Sequence, residues 1–184
     1  MNEPLLIIID MLNDFFREGR LAGERQALTT AINQLVAFAR QKDFPVIWVR
    51  QEFKPDLSDA FLGMRRDRRL VTIQGTQGCQ ILDELDRLPQ DPVIVKKRYS
   101  AFFGTQLDQL LDELQPAQVI LAGVNTHACV RMTAVDAFQR DLPVILAIDA
   151  VNSYDQEYHC VSLRYLKQGI AQVMHNDELM ENFC

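Results

Sequence analysis

The sequence predicts an α/β fold, a three-layer α/β/α sandwich built on a doubly wound parallel sheet of about six strands. Two observations lead to this prediction. Short apolar runs of about five to seven residues recur along the chain without polar alternation, which is typical of strands buried on both faces. Amphipathic stretches with helical spacing separate these runs, so that strands and helices alternate through right-handed crossovers.

Six apolar runs are predicted as strands: residues 4–10, 45–50, 92–97, 119–123, 143–149 and 170–175. Four amphipathic stretches are predicted as helices: residues 25–42, 104–115, 126–141 and 155–168. Thr126 and Asp155 stand where N-cap residues are expected. The stretch 51–75 has no clear element, and we interpret it as a candidate lid over a site.

Composition indicates one soluble domain. The chain has 184 residues, of which 48% are apolar and 24% charged, and we expect residues 1–184 to form a single domain with a sizeable core. The formal net charge of -6 argues against nucleic-acid binding. The basic cluster at residues 65–69 is either a solvated loop face or part of a site for an anionic substrate.

Cysteine usage and hydropathy suggest a reducing, cytoplasmic setting. The four cysteines show no CxxC spacing and no disulfide pattern, so free thiols are expected. The N-terminal sequence lacks the basic region and the longer apolar run of a signal peptide. No apolar run approaches the ~20 residues of a membrane span, and no membrane partner is expected.

Three chemically distinct side chains follow predicted strands. Asp10 ends the first strand, Lys96 and Lys97 end the third, and Cys129 comes shortly after the fourth, at a predicted helix start. In doubly wound folds, ligands bind outside the carboxyl ends of the strands. A carboxylate, an ammonium and a thiol are therefore expected at one edge of the sheet.

This trio suits nucleophilic catalysis. A helix start favours the thiolate form of Cys129, Asp10 can take the thiol proton, and Lys96 can balance the charge. Backbone N–H groups of the turn before Cys129 can bind an oxyanion. His127 stands two residues before the cysteine, and a helix would turn its side chain away from the thiol. It is either substrate-facing or merely local.

Four segments carry a resemblance to a known family. They are "IIIDMLNDF" (7–15), "IQGTQGCQI" (73–81), "VIVKKRYSAFFGTQLDQLL" (93–111) and "GVNTHACVRMTAVDA" (123–137). In this order they resemble the motifs of the isochorismatase-like cysteine hydrolases.

The resemblance implies a single α/β/α domain and an Asp-Lys-Cys triad of Asp10, Lys96 and Cys129. Lys96 is favoured over Lys97 because the family lysine stands four residues before the serine that corresponds to Ser100. The resemblance also implies a cis peptide bond between Val124 and Asn125 and an oxyanion hole made by the N–H groups of Asn125 and Cys129. Members are commonly dimers or tetramers, so a homo-oligomer is expected.

Departures from the family narrow the function. Nicotinamidase-type members carry an Asp-x-His metal motif after the second strand, where this chain reads "VRQEFKPDLSD", so neither a metal nor another cofactor is predicted. Isochorismatases often lack the cysteine, so Cys129 favours cleavage of a C–N bond. The prediction is a hydrolase of a small carboxamide, ureido or carbamoyl compound that acts through a thioester.

Aromatic residues near the motifs are candidates for the substrate pocket. Phe15, Tyr99, Phe103 and His127 are predicted to contact the substrate, whereas Phe102 either joins them or packs in the core. Three alternative functions remain: a vinyl-ether hydrolase, a non-catalytic binding relative, and a dinucleotide-binding domain. The last would need a glycine-rich turn after the first strand, and "DMLNDFF" contains no glycine.

Overall fold

Six parallel strands form one sheet in the computed structural model of the protein, which describes residues 3–183. The strands are β1 (Leu5–Ile9), β2 (Val46–Gln51), β3 (Val93–Lys96), β4 (Val119–Val124), β5 (Val144–Asn152) and β6 (Gln172–Met174). Their order across the sheet is β3-β2-β1-β4-β5-β6. The predicted α/β/α sandwich is confirmed, and the predicted strand ends differ from the observed ones by at most three residues.

Helices cover both faces of the sheet. They are α1 (Gly19–Gln41), α2 (Leu62–Asp67), α3 (Leu107–Leu114), α4 (Arg131–Phe138), α5 (Gln156–Lys167) and α6 (Asn176–Asn182). Two short 3-10 segments, Asn13–Phe16 and Gln77–Cys79, and a π-type turn, Thr126–Val130, complete the elements. No helix within residues 3–183 combines the length and the apolar character needed to cross a membrane.

The helix prediction is partly wrong at the segment that carries the cysteine. The stretch 126–141 begins as the π-type turn and becomes α-helical only at Arg131. Thr126 does not cap it, because the hydroxyl of Thr126 contacts Nδ1 of His159 at 2.9 Å instead. Asp155 does cap α5, since its carboxylate accepts a hydrogen bond from the backbone N–H of Tyr158. Helices α2 and α6 were not predicted.

The two sides of the sheet have separate apolar cores. Leu6 and Ile8 of β1 pack with α1 and α6 on one side, whereas Leu5, Ile7 and Ile9 pack with α3 and α4 on the other. All five side chains are at most 1% exposed. Each such burial stabilises the fold by about 1.5–3 kcal/mol. Burial of both faces explains why the strands show no polar alternation.

A third, smaller core organises the stretch 51–75. Phe53, Leu57, Ala60, Met64 and Ile73 are buried against one another, separately from the two main cores. Phe53 and Ile73 also form a parallel bridge that closes the base of this segment. Residues 51–75 therefore form a compact segment with its own small core, and this segment includes α2.

The strand order reverses direction between β1 and β4. The chain first adds β2 and β3 on one side of β1 and then crosses to β4 on the other side. Such a switch point leaves an open crevice at the carboxyl ends of the two central strands, because the connections from these strands depart in opposite directions. Asp10 and the turn after Val124 stand at this crevice.

Gly123 allows β4 to approach β1 at the switch point. Its φ of +113° lies in the region that favours glycine, and a Cβ atom there would lie 2.0 Å from the carbonyl oxygen of Ile9. The register of β4 against β5 also shifts between Leu121 and Gly123. The absence of a side chain at Gly123 therefore sets the position of the turn that follows.

We expect Gly123→Ala to lower the free energy of unfolding by about 2 kcal/mol or more, because the methyl group must displace the backbone of Ile9. Gly23→Ala is the matched control. A methyl group on Gly23 in α1 would meet no neighbouring atom within 4 Å, and alanine should stabilise the helix by about 1 kcal/mol. Urea unfolding of both variants measures the difference. Equal stability would show that β4 can shift without cost.

Candidate active site

Asp10, Lys96 and Cys129 meet at the switch point. Asp10 and Lys96 are 0% exposed and Cys129 is 3% exposed. Lys96 Nζ lies 2.6 Å from Oδ2 of Asp10, 3.3 Å from Sγ of Cys129 and 3.1 Å from the carbonyl oxygen of Arg98. The carbonyl and the sulfur accept hydrogen bonds from the ammonium, and the carboxylate forms an ion pair with it. The structure thus places the Lys96 ammonium between the carboxylate and the sulfur.

Lys97 lies elsewhere. Its Nζ is 3.1 Å from Oδ2 of Asp59 and also donates to the backbone carbonyl of Glu52. The side chain is 37% exposed, in contrast to the fully buried side chain of Lys96. Consecutive side chains at a strand end point to opposite sides, so only one of the two lysines reaches the crevice. The predicted choice of Lys96 agrees with this geometry, and its role in catalysis stays a prediction.

The charge state of Lys96 follows from its partners. Burial lowers its pKa, but the negative charge of Asp10 and the interaction with Cys129 outweigh this effect and raise the pKa above its ordinary value. Lys96 is therefore a permanent cation at neutral pH. The buried pair of Asp10 and Lys96 has no net charge.

Asp10 is held by its backbone and keeps one oxygen available. Its φ is +54°, its N–H donates to the carbonyl of Val49 and its own carbonyl accepts from Leu12. Within residues 3–183, both carboxylate oxygens are buried without a hydrogen-bond partner; Oδ2 forms the ion pair with Lys96, and Oδ1 has no such contact. An unsatisfied buried oxygen is costly, and carboxylate oxygens accept several hydrogen bonds. Oδ1 is therefore free to accept a proton from the thiol or an N–H from a ligand.

The expected easy ionisation of Cys129 is wrong for this environment. Burial raises the pKa of the thiol to about 12; the charge of Lys96 lowers it and the charge of Asp10 raises it. The π-type turn seats the sulfur inside the protein beside a carboxylate, and this outweighs any benefit of a helix start. The resting site is therefore a neutral thiol beside an ion pair.

The turn that carries Cys129 is tied to its neighbours. The peptide bond between Val124 and Asn125 is cis, as predicted. The hydroxyl of Thr133 donates to the carbonyl of Cys129 at 2.8 Å and accepts from the N–H of Ala101 at 3.0 Å. The turn is thus connected to the loop that follows Lys96. Asn125 and Cys129 both line the cavity, and their N–H groups remain the predicted oxyanion hole.

A cavity of about 520 Å³ opens above the thiol. Its wall is formed by Phe15, Gln51, Phe61, Leu62, Gly63, Met64, Arg69, Val71, Tyr99, Asn125, His127, Ala128, Cys129 and Tyr154. Half of these residues come from the stretch 51–75. The segment interpreted as a lid therefore forms one wall of the cavity, and sequence reasoning did not identify its individual lining residues.

Three of the four predicted substrate contacts lie on this cavity. They are Phe15, Tyr99 and His127. Phe103 does not, since its side chain is 66% exposed away from the lining. Phe102 is 4% exposed in the core, where the Arg140 guanidinium lies 4.1 Å from its ring centroid. The side chains of two adjacent residues in a turn point in different directions. Because the Phe102 side chain is buried in the core, the Phe103 side chain lies at the surface.

His127 reaches the cavity because the segment is a π-type turn. An α-helix would have directed its side chain away from the thiol, whereas the observed turn exposes both His127 and Cys129 to the same space. Burial lowers the pKa of His127; Asp155 opposes this shift and Arg131 adds to it. The imidazole is therefore neutral at neutral pH.

The described residues of the site do not form a set of metal ligands. Across residues 3–183, no three His, Cys, Asp or Glu side chains are grouped so that they could hold a metal ion. The carboxyl end of β2 presents Gln51 to the cavity, and neither a histidine nor a carboxylate from this end belongs to the lining. Independence from metal stays a prediction.

The thiol pKa predicts how Cys129 reacts with iodoacetamide. Because the pKa is about 12, the alkylation rate in the free protein should rise about tenfold per pH unit from pH 7 to 10 without a plateau. Lys96→Met should slow alkylation, since the charge of Lys96 lowers the pKa of the thiol. Lys97→Met is the control and should change little. Mass spectrometry of the modified peptide measures the rate, and a plateau below pH 9 would show a resting thiolate.

Comparison with known proteins identifies the family. Residues 4–178 match the family model described as the isochorismatase domain. A probable inactive nicotinamidase of Arabidopsis thaliana is 33% identical over 170 residues, which cover 88% of this chain and 87% of that protein. Enterobactin synthase component B of Escherichia coli is 36% identical over 184 residues, which cover 95% of this chain and 61% of that longer protein.

A solved structure supports the same assignment. N-carbamoylsarcosine amidase from Thermoplasma acidophilum is 30% identical, with a TM-score of 0.81 over 96% of this chain and 98% of that one. The fold and the span of the family match agree with each other. The chain belongs to the isochorismatase family, a family of hydrolases that includes amidases.

Proposed function

We propose that the protein is a cysteine amidohydrolase that cleaves a C–N bond of a small carboxamide, ureido or carbamoyl compound. The observation that carries this proposal is the contact of the Lys96 ammonium with both the Asp10 carboxylate and the Cys129 sulfur. A nucleophile, a base and a fixed cation are the parts that thiol-based acyl transfer needs. The similarity to a protein named N-carbamoylsarcosine amidase favours the same class.

The first half-reaction transfers the acyl group to sulfur. Asp10 takes the thiol proton as Sγ of Cys129 attacks the substrate carbonyl carbon, and the N–H groups of Asn125 and Cys129 stabilise the oxyanion. The intermediate then collapses, the C–N bond breaks, and the proton on Asp10 passes to the leaving nitrogen. The products of this step are a thioester and an amine or ammonia.

The second half-reaction restores the enzyme. The Asp10 carboxylate takes a proton from water as the water oxygen attacks the thioester carbonyl. When the C–S bond breaks, the sulfur regains the proton from Asp10 and the acid product leaves. Lys96 stays protonated throughout, and its charge stabilises whichever of the two anions is present.

Two other functions compete with this proposal. A vinyl-ether hydrolase protonates its substrate and needs no thiol, and the match to the family model described as the isochorismatase domain keeps this function as the second candidate. A non-catalytic role is suggested by the relative named as probably inactive. The buried contact among Asp10, Lys96 and Cys129 favours an amidase over both. A dimer or tetramer and a cytoplasmic location remain expectations.

Removal of the nucleophile tests the proposal. We expect Cys129→Ala to reduce ammonia release by at least about 10³-fold, because no other group can form the thioester. Cys160→Ala is the control, since Cys160 is an exposed free cysteine. A screen of amide, ureido and carbamoyl compounds supplies the substrate, and melting curves check the fold. Activity above a few per cent in Cys129→Ala would move the chemistry to the vinyl-ether class.

The pH dependence provides a separate test. The groups of the triad titrate together, so we expect a bell-shaped profile of kcat/KM that belongs to the site as a whole. The alkaline limb should lie above pH 10, because the pKa of Lys96 is raised from 10.5 and that of Cys129 is about 12. Loss of activity at lower pH reports protonation of the base. The pH profile measured with EDTA should be the same as the profile measured without it. Loss of activity with EDTA that zinc or iron restores would contradict metal-free chemistry.

A further inference from the structure

The cavity wall beyond the thiol has a net positive charge. Within the described chain, Arg69 is the one formally charged residue among those that line the cavity, and the lining includes no carboxylate. Asp10 and Lys96 beneath the thiol neutralise each other. Outside the lining, Asp155 and Arg131 both act on His127, and their charges are opposite in sign. The wall therefore favours an anionic group.

Arg69 is only weakly engaged by the protein. Its guanidinium lies 3.7 Å from Oδ2 of Asp67, and its side chain is 64% exposed. The Asp67 carboxylate is already held by Arg66 through two hydrogen bonds of 2.7 and 3.2 Å. The N–H groups of Arg69 thus remain available for a planar, two-oxygen acceptor, which the guanidinium fork fits.

His127 adds a neutral donor to the same wall. Its Nδ1 lies 3.0 Å from Oγ of Ser153, and this oxygen also accepts from the backbone N–H of His127. Ser153 is 0% exposed, so its single hydroxyl proton needs an acceptor, and among the described residues Nδ1 is the acceptor in contact with Oγ. The serine therefore donates to Nδ1, and the imidazole carries its own proton on Nε2.

Tyr154 completes this region. Its ring stands edge-on to the imidazole of His127, with centroids 4.8 Å apart. Burial raises the pKa of Tyr154, and Tyr99 raises it further, while the charge of Arg69 acts in the opposite direction. The phenol thus keeps its proton near the guanidinium. Arg69, His127 and Tyr154 all present N–H or O–H donors.

We propose that the substrate carries a carboxylate in addition to the bond that is cleaved, and that Arg69 is the residue that selects it, with His127 as a neutral donor beside it. This inference rests on the proposed function, because it places the reacting carbonyl at Cys129. The basic cluster 65–69 then has two parts. Arg69 lines the cavity, whereas Arg65 is exposed outside the lining.

Matched pairs of compounds test the charge selection by kinetics. N-carbamoylglycine and succinamic acid are each compared with the corresponding neutral N-methylamide, and ammonia release is measured. We expect wild-type kcat/KM to favour each acid by about tenfold or more, which is the effect of one charged hydrogen-bonding partner. Arg69→Met should remove this preference mainly through a higher KM for the acids. Arg69→Lys should retain part of it.

Arg65→Met is the control, because it removes the same charge from the same segment without touching the cavity wall. Its acid preference should equal that of the wild type. If Arg65→Met and Arg69→Met change the preference equally, or if the wild type hydrolyses the compounds without preferring the acids, the assignment of Arg69 is wrong.

A binding measurement separates this inference from the proposed function. Calorimetric titration of Cys129→Ala with the same four compounds reports affinity without turnover. Tighter binding of the acids that is lost on adding Arg69→Met supports the carboxylate site, even if the wild type hydrolyses none of them and the amidase proposal fails. Equal or undetectable binding of acids and amides, together with no acid preference in turnover, overturns the inference.

Discussion

The buried ion pair of Lys96 and Asp10 is the constraint on which the site depends. Removing two charges from water is costly, and the pair persists only because each ion has the other within 2.6 Å. Lys96 has two further acceptors, the sulfur of Cys129 and the carbonyl of Arg98. Loss of any one of these contacts would leave the buried ammonium less well compensated. The three side chains are therefore coupled to one another through the ammonium.

This coupling determines the chemistry that is available. Burial raises the pKa of the Cys129 thiol to about 12, and the opposite charges of Lys96 and Asp10 do not reverse this effect. The sulfur is therefore protonated. In the proposed reaction, the thiol therefore needs a base at the moment of attack rather than prior ionisation. Oδ1 of Asp10, which is not the oxygen paired with Lys96, is the acceptor at hand. The proton would then stay within the site and be available to the leaving nitrogen.

The fold divides reactivity and selectivity between different segments. The proposed catalytic groups stand at or shortly after the carboxyl ends of β1, β3 and β4. The close approach at Gly123 and the π-type turn set where the sulfur lies. The opposite wall belongs to the stretch 51–75, which has its own small core around Phe53. The groups that contact the rest of the substrate can thus vary without disturbing the ion pair.

The sequence alone was sufficient for the sheet and for the meeting of three side-chain types. Strands buried on both faces have a strong apolar signal, and the topology brings residues at their carboxyl ends together, so Asp10, a lysine at the end of β3 and Cys129 could be placed at one edge without coordinates. The choice of Lys96 over Lys97 came from the resemblance to the family. The same reasoning missed α2 and α6, because short helices have little periodicity of their own. The distinction between Phe102 and Phe103 also required coordinates, since neighbouring residues in a turn have the same local pattern.

Only the tertiary structure decided the protonation of the thiol and the shape of the cavity. A helix start predicted an acidic cysteine, but the pKa depends on burial and on the distance to charged groups from other strands. The π-type turn brought His127 into the cavity, and the fold of residues 51–75 separated Arg69 from its basic neighbours. These features arise from contacts between segments distant in sequence, which residue spacing does not encode.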